Sequence, residues 1–441
     1  MPAPPSRSGP FWPWAPRRPR PARSARPAPC PARSSDWLTL LPDGAEKRQF
    51  IIDCTNCHQF GARQALPDGV PRAGAEWEAA VTRMVGYAGA TTRFPIISAG
   101  RDPAATARWL TAALGARTPA ATCDAPLPAG ATVTEFLMPD SSDLPHDLLI
   151  EAGGRVLVTG MFTHRLWSLA PGATAFTEIP IPVERANPRA IEADDAGDRW
   201  LVLGNPHRLA RWTRDGRWDS WDVGMYAHSL APDRQGRVWF NGHFTRAPEQ
   251  IGYVEPSGRV TTIDVPAHPA LASGPGGPIP YELRVAPDGR IWMSELQGNR
   301  IIGYDPARRT FTVRDLPTPV SAPRRFDIDA RGVLWIPAYA GNALVRYDPA
   351  ADRFETIPMP VRDAVPYVVR VQPRTGTLWI GTSGADAVFA FDPATRQFTT
   401  YPLPSRGAVV RHIAFDPGSR DVWLAYGASP GIPARIARLS P

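Results

Sequence analysis

A repeat constrains this chain more than any other feature. From residue 131 onward one unit recurs seven times: a strand, an Asp/Gly turn, a strand centred on a large apolar residue, a short link, a third strand, an Asp-Pro turn and a fourth strand. The centres of the second strands are Leu157, Trp200, Trp239, Trp292, Trp335, Trp379 and Trp423. Neighbouring centres stand roughly 40–50 residues apart, the period of a four-stranded propeller blade. The wider interval between Trp239 and Trp292 holds a Gly/Pro-rich insertion over 267–280. The last unit supplies only three strands, over 410–415, 422–426 and 434–439, whereas 132–138 reads as an orphan fourth strand. Strand 132–138 is therefore expected to complete the last blade, and such closure hides the sheet edges that an open stack exposes. A solenoid competes, but it wants polar capping repeats, and none are visible. The expected fold class is mainly β: a seven-bladed propeller over 131–441, preceded by a small all-α domain and a disordered tail.

The chain has 441 residues and a formal charge of +7. Arg7, Arg17, Arg18, Arg20, Arg23, Arg26 and Arg33 lie within 1–35, which holds no acid; the remainder has 42 basic and 42 acidic residues. The basic balance thus belongs to the tail and not to a binding face, so no nucleic-acid partner is expected. Residues 1–35, rich in Pro, Arg, Ala and Ser, bury too little apolar surface to offset their ordering entropy. No apolar run is long enough to span a bilayer, so no transmembrane segment is expected.

Chemistry enters at Cys54-Thr55-Asn56-Cys57-His58. Two thiols two residues apart with a histidine directly after the second form the attachment pattern of a c-type haem. One helical turn presents both sulfurs to the porphyrin edge and His58 to one face of the iron. A zinc half-site or a thioredoxin-like pair would use the same residues. The first needs four ligands and finds no second CxxC or HxxxH, and the second needs a βαβ context that is missing here. Residues 45–53 read as a helix entering the motif. A second helix carries Trp77, Val81, Met84 and Val85 at helical spacing. A third opens on Asp102-Pro103 and stops at Gly115. Met84 is the expected sixth ligand of the iron, opposite His58, with a place on the apolar stripe as the alternative. It is the only Met between 36 and 117. A thioether opposite an imidazole raises the potential and favours electron transfer.

This order over 36–117, with Cys54, Cys57, His58, the Trp77–Met84 helix and Trp109-Leu110, resembles a small class I cytochrome c. A Pro/Ala linker, 118–130, follows it and contains Cys123. Cys30 and Cys123 are left to pair in an oxidising compartment, to stay as free thiols, or to be separated by processing. Haem attachment implies a periplasmic location. Neither 11–15 nor Arg17-Arg18 leads into an apolar run of about 7–15 residues, so no export signal is recognisable. The expectation is that the true start or signal is not represented here. The alternative is a protein that stays inside with its haem motif unmatured.

The repeat, with Pro287-Asp288-Gly289-Arg290-Ile291-Trp292-Met293-Ser294-Glu295 and Gly298-Asn299-Arg300-Ile301-Ile302-Gly303 as its best copies, resembles the streptogramin (virginiamycin B) lyase family. That resemblance implies a seven-bladed propeller with its chemistry in the central channel. It also implies a Glu-x-His pair and a second Glu, with magnesium held by carboxylates. Glu295 matches the second Glu, but the His position is Tyr281 and the first Glu position is Ile279. Tyr is a poor base near neutral pH. The equivalent inner-strand position gives His146, Arg189, His228, Tyr281, Arg324, Tyr367 and Arg411, expected to ring one channel mouth. Such a ring either lines a water-filled channel or holds an anionic or aromatic small molecule. His164, His207, His243 and His412 are expected at turns or on the surface. The sequence thus suggests a periplasmic c-type cytochrome with haem c, whose propeller binds a small substrate or a redox partner protein. Whether it is an enzyme stays open, as a haem-dependent oxidoreductase. The alternatives are a magnesium-dependent lyase with an accessory cytochrome and a non-catalytic binding propeller.

Overall fold

A computed structural model describes residues 30–441 except 93, 121–122, 244–247, 275 and 428–431. Of the tail 1–35, expected to be disordered, positions 1–29 lie outside the described residues, but 30–35 are ordered: Cys30 is bonded to Cys123, Arg33 pairs with Asp124 and a helix begins at Ser34. Seven four-stranded antiparallel sheets form the propeller. Six are built from four consecutive strands, and the seventh joins Thr132–Leu137 to the three C-terminal strands. The register runs from Thr132 opposite Ser440 to Leu137 opposite Arg435, so the closing strand predicted from the orphan segment is the one observed. Large apolar residues dominate the second strands because those strands are covered on both faces: Trp200, Trp239, Trp292, Trp335, Trp379 and Trp423 are all buried between blades.

The innermost strands carry a second regularity. In six blades the pairing of the first strand with the second shifts register near its start, for example between Pro145 and Leu148 and between Pro280 and Leu283. A bulge of this kind re-aims side chains, so two consecutive residues can serve the channel instead of alternating between faces. The fifth blade has the shortest inner strand, Asp327–Ile328. Ahead of it the Arg325 carbonyl accepts from Val369 N (2.8 Å), in the sixth blade.

Five helices precede the propeller: α1 (Ser34–Leu38), α2 (Ala45–Cys54), α3 (Ala62–Ala65), α4 (Gly74–Ala88) and α5 (Pro103–Leu114). The Asp102 carboxylate caps α5 by accepting from Ala104 N and Ala105 N, as the Asp-Pro start predicts. Phe50, Phe60, Trp77 and Trp109 build the centre of the module, with Phe50 5.2 Å from Phe60 and 5.5 Å from Trp109 between ring centroids. That core is continuous with the propeller's, running through Ile279, Tyr339 and Val409. The 267–280 insertion also reaches the helices. At Gly276 (φ +72°) a Cβ would come within 3.2 Å of Ala99 N, so both the backbone conformation and the close approach require glycine. Cys30 and Cys123 form a disulfide. No helix among the described residues is long and apolar enough to cross a membrane.

Candidate functional site

The helices sit over one mouth of the channel, and between them and the blades lies a cavity of about 490 Å³. Its module side presents Cys54, Cys57, His58 and Met84; its propeller side presents His146, Arg189, Tyr281, Arg324, Tyr367 and Arg411. Phe94, Ile96, Ile97, Leu144, Met161 and Phe162 complete mostly apolar walls. The volume falls within the range of about 300–1,000 Å³ usual for small-molecule and cofactor sites.

The propeller itself holds the Cys54–His58 segment in place. Arg411 donates through Nη1 to the Asn56 carbonyl and through Nη2 to the Cys57 carbonyl, both at 3.1 Å. The Tyr339 hydroxyl donates to the Thr55 carbonyl at 2.8 Å. Gln59 Nε2 donates to Asp386 (2.8 Å) and to the Ala408 carbonyl (2.9 Å), and buried Lys47 pairs with Asp363 at 2.7 Å. Asp53, just ahead of Cys54, accepts from Arg101 Nε at 2.8 Å and Ser98 Oγ at 3.0 Å, fixing the loop that carries Ile96 and Ile97.

His58 Nδ1 lies 2.9 Å from the Gln59 carbonyl. The Gln64 amide nitrogen lies 3.3 Å from the same Nδ1, so this edge of the ring is held by the protein and Nε2 is the nitrogen a metal would take. Met84, expected either as a ligand or on the apolar stripe, is half-buried on α4 and lines the cavity, while Trp77 and Val81 occupy the core. Burial, followed by the neighbouring Asp53 charge, pushes the Cys54 thiol up to about 12. The donor set of two thiols, an imidazole and a thioether around one apolar cavity fits a c-type haem.

Six of the seven ring residues named from the inner strands border this cavity. The seventh, His228, sits behind them with its ring centroid 4.3 Å from that of Tyr281 and 4.5 Å from that of His243. Tyr281 and Tyr367 share a 2.5 Å hydrogen bond. Arg324 Nη1 donates to the Tyr281 oxygen at 3.1 Å and Arg411 Nη1 to the Tyr367 oxygen at 3.5 Å, so each phenol of the pair also faces a guanidinium. Burial raises the Tyr367 phenol, but Arg324 and Arg411 outweigh it and hold the group below its usual value. Burial lowers His146 to about 4 although Asp147 opposes the shift, and burial also holds His228 and His243 well below the usual imidazole value.

Directly below the ring lies a charged layer that the sequence reading missed. Arg325 donates to both Asp147 oxygens (2.8 and 2.7 Å) and to Glu282 (3.1 Å), and Arg370 and Arg284 also reach Glu282 at 2.9 and 2.7 Å. These residues follow the ring positions or succeed them by three, and strict alternation would have sent the first of them into the sheet interface. The inner-strand bulge turns Asp147 and Glu282 to the channel, whereas Arg325 lies ahead of the short Asp327–Ile328 strand and bridges to Val368. The recurring pair of a polar ring residue followed by a charged one (His146-Asp147, Tyr281-Glu282, Arg324-Arg325) was the available signal.

Three expectations need correction. His243 is buried and lines the cavity, and His412 is buried with Nε2 3.5 Å from Asp147, so neither is at the surface. Glu295 does not border the cavity. It closes the second strand of its blade, is fully buried and is forked by Arg300 at 2.5 and 3.0 Å, while Arg300 also reaches the Pro266 carbonyl on the outer side. Among the described residues no three His, Cys, Asp or Glu side chains converge as a metal-ligand set. His164 lies in a turn and His207 is exposed, both beside a separate pocket.

No curated protein matches the sequence. Among solved structures, a virginiamycin B lyase from Staphylococcus aureus is 19% identical, with 70% of this chain and 99% of that one covered and a TM-score of 0.61. A catalytically inactive variant of the S. aureus enzyme with quinupristin gives the same values. YCF48 bound to D1 peptide is 11% identical, with 72% and 97% covered and a TM-score of 0.55. Such identities show a common propeller fold and nothing finer. The family model described as "Virginiamycin B lyase family" matches residues 131–430, most of the chain, and the protein therefore belongs to the virginiamycin B lyase family.

Proposed function

We propose that this chain is an exported electron-transfer protein in which a c-type cytochrome domain, 36–117, is joined by the 118–130 linker to a lyase-family propeller, 131–441. Cys54 and Cys57 would hold haem c covalently, and His58 and Met84 would ligate its iron. The observation that carries this reading is the cavity shared by those four side chains and the channel mouth. When bound, the haem supplies one-electron transfer. The chain's own residues do the rest. The Gln59 carbonyl and the Gln64 amide hold the His58 ring, Arg411 and Tyr339 fix the motif backbone, and the apolar walls keep water away. The ring of Arg and Tyr side chains receives a small substrate or the edge of a redox partner. The Cys30–Cys123 disulfide supports a periplasmic location, since such bonds persist in oxidising compartments.

The test is a pyridine haemochrome and a reduced-minus-oxidised spectrum of protein matured in a periplasm. A c-type spectrum with Cys54 and Cys57 resistant to alkylation is expected, as is a lowered potential in Met84→Ala. A colourless protein with both thiols alkylated refutes the reading.

The family match favours a second reading, ring opening of a cyclic depsipeptide by an antibiotic lyase. His146, oriented by Asp147 at 2.6 Å and bordering the cavity, is the base available to it, because Tyr281 stands at the family's His position. Formation of linear product from a cyclic streptogramin, lost in His146→Ala, is the result that would favour this reading over the first.

A further inference from the structure

The cavity wall holds three buried guanidinium groups that meet no carboxylate among the described residues. Arg189, Arg324 and Arg411 are 6, 1 and 4% exposed, and all three border the cavity. Arg324 is surrounded by Tyr281, Tyr339 and Tyr367, its guanidinium carbon 5.0, 3.8 and 4.5 Å from their ring centroids. Arg411 spends its Nη groups on backbone carbonyls and a phenol. Arg189 lies 4.9 Å from the Tyr226 ring centroid. Among the described residues, Nε and Nη1 of Arg189, Nε and Nη2 of Arg324 and Nε of Arg411 have no acceptor.

The contrast with the layer below is direct. There, Arg325, Arg370 and Arg284 each pair with Asp147, Glu282 or Glu192 at 2.7–3.1 Å. Unpaired buried charge is costly, and buried donors without acceptors are rare in folded proteins. Among the described residues the only carboxylate on the cavity wall, Asp53, is already committed to Arg101 and Ser98. The cavity therefore carries an excess of cationic donors of the type that recognises carboxylates through paired N–H bonds.

We infer that the cavity binds a ligand carrying two or more carboxylate groups, seated on Arg189, Arg324 and Arg411. This deepens the proposed function and rests on its placing the working site in this cavity. The same chemistry has two sources: the propionates of the attached porphyrin, or a free polycarboxylic acid bound beside it.

The probe is citrate, titrated calorimetrically into the full chain at fixed ionic strength, with chloride as the control anion. Two preparations are compared: the matured protein and the Cys54→Ser/Cys57→Ser chain, which cannot attach haem. Citrate binding to both, weakened at least tenfold in Arg324→Gln and in Arg189→Gln, supports a free acid. Binding to the unattached chain alone, with a lower haem potential in Arg324→Gln of the matured protein, supports propionates, because losing a nearby positive charge favours the ferric state. A stability readout covers variants that bind nothing. In the unattached chain without citrate, Arg324→Gln raises the melting temperature by removing a stranded charge. If citrate binds neither preparation and Arg324→Gln changes neither potential nor stability in that direction, the inference is overturned. The citrate and stability arms on the unattached chain need no haem, so their failure is distinct from the failure of the haem assignment.

Discussion

Asp147→Asn probes the floor of the cavity. In the native protein the Asp147 carboxylate is buried, takes two bonds from Arg325 at 2.8 and 2.7 Å, and lies 2.6 Å from His146 Nδ1. The amide keeps the shape and removes the charge. Glu282 cannot take over, because Arg284, Arg325 and Arg370 already share it. Breaking one side of a buried ion pair costs about 3–5 kcal/mol. Unfolding entropy near about 2.1 cal/mol/K per residue gives a propeller of roughly 300 residues about 0.6 kcal/mol/K at its midpoint. The expected loss is therefore about 5–8 °C in a calorimetric melt. Burial raises the Asp147 pKa, but Arg325, His412 and His146 outweigh it and leave the group well below its ordinary value. A depressed carboxylate stabilises the fold above the unfolded value of about 3.9, and that contribution disappears as pH falls through the lower folded value. The gap between wild type and variant should thus hold constant from pH 7 down to about 5 and narrow only below about 4. Adding Arg325→Met removes the stranded cation and should recover part of the loss. A variant melting within a degree of wild type, or a double variant less stable than the single one, refutes the argument.

Other outcomes follow from single sites. A Cβ at Gly160 would lie 2.2 Å from Asp143 Oδ2 and 2.8 Å from Trp167 Nε1, so Gly160→Ala should cost about 1–3 kcal/mol in a denaturant melt. An unshifted midpoint would mean that the 161–164 turn yields. Cys123→Ser opens a link spanning 93 residues and should cost about 2–5 kcal/mol, matched by the wild type in reductant. Equal stability with and without reductant would show that the bond constrains nothing. Burial outweighs the Arg300 fork and pushes Glu295 up to about 7. The folded state then holds a proton that the unfolded state releases near pH 4.5, so stability declines as pH rises from there to about 7. Glu295→Gln should flatten that slope, and an unchanged pH profile would place the titration elsewhere.

Much of the fold was legible because a blade repeats its physics. Trp200 and its counterparts recur because each second strand is covered on both faces, and 132–138 was identifiable because the last unit lacked a strand. The site was legible in part. Cys54, Cys57 and His58 announce themselves through spacing, and the ring from His146 to Arg411 follows from aligning the blades. Asp147 and Glu282 did not emerge, because period-two alternation assigns them to the wrong face, and only the bulge beside Pro145 or Pro280 turns them inward; Arg325 did not, because it lies outside its blade's short inner strand. His243 and His412 were misplaced for a related reason. His243 follows the Val238–Gly242 strand and looks like a turn residue, yet the overlying helices make that turn part of an interior. Tertiary cover of this kind leaves no mark on the local sequence.

The cover also explains why the channel and the helices line one cavity. Arg325 bridges Asp147 of the first blade and Glu282 of the fourth, so an ion network crosses the channel just below the ring. A ligand resting on the ring therefore has a charged floor beneath it and the Cys54–His58 segment above it. Arg411 touches that segment's backbone, and Tyr367 beside it bonds to Tyr281. A charge change on the module side is thus felt within two hydrogen bonds by groups on the propeller side. The blades and helices share one apolar core around that contact, so the coupling needs no moving part.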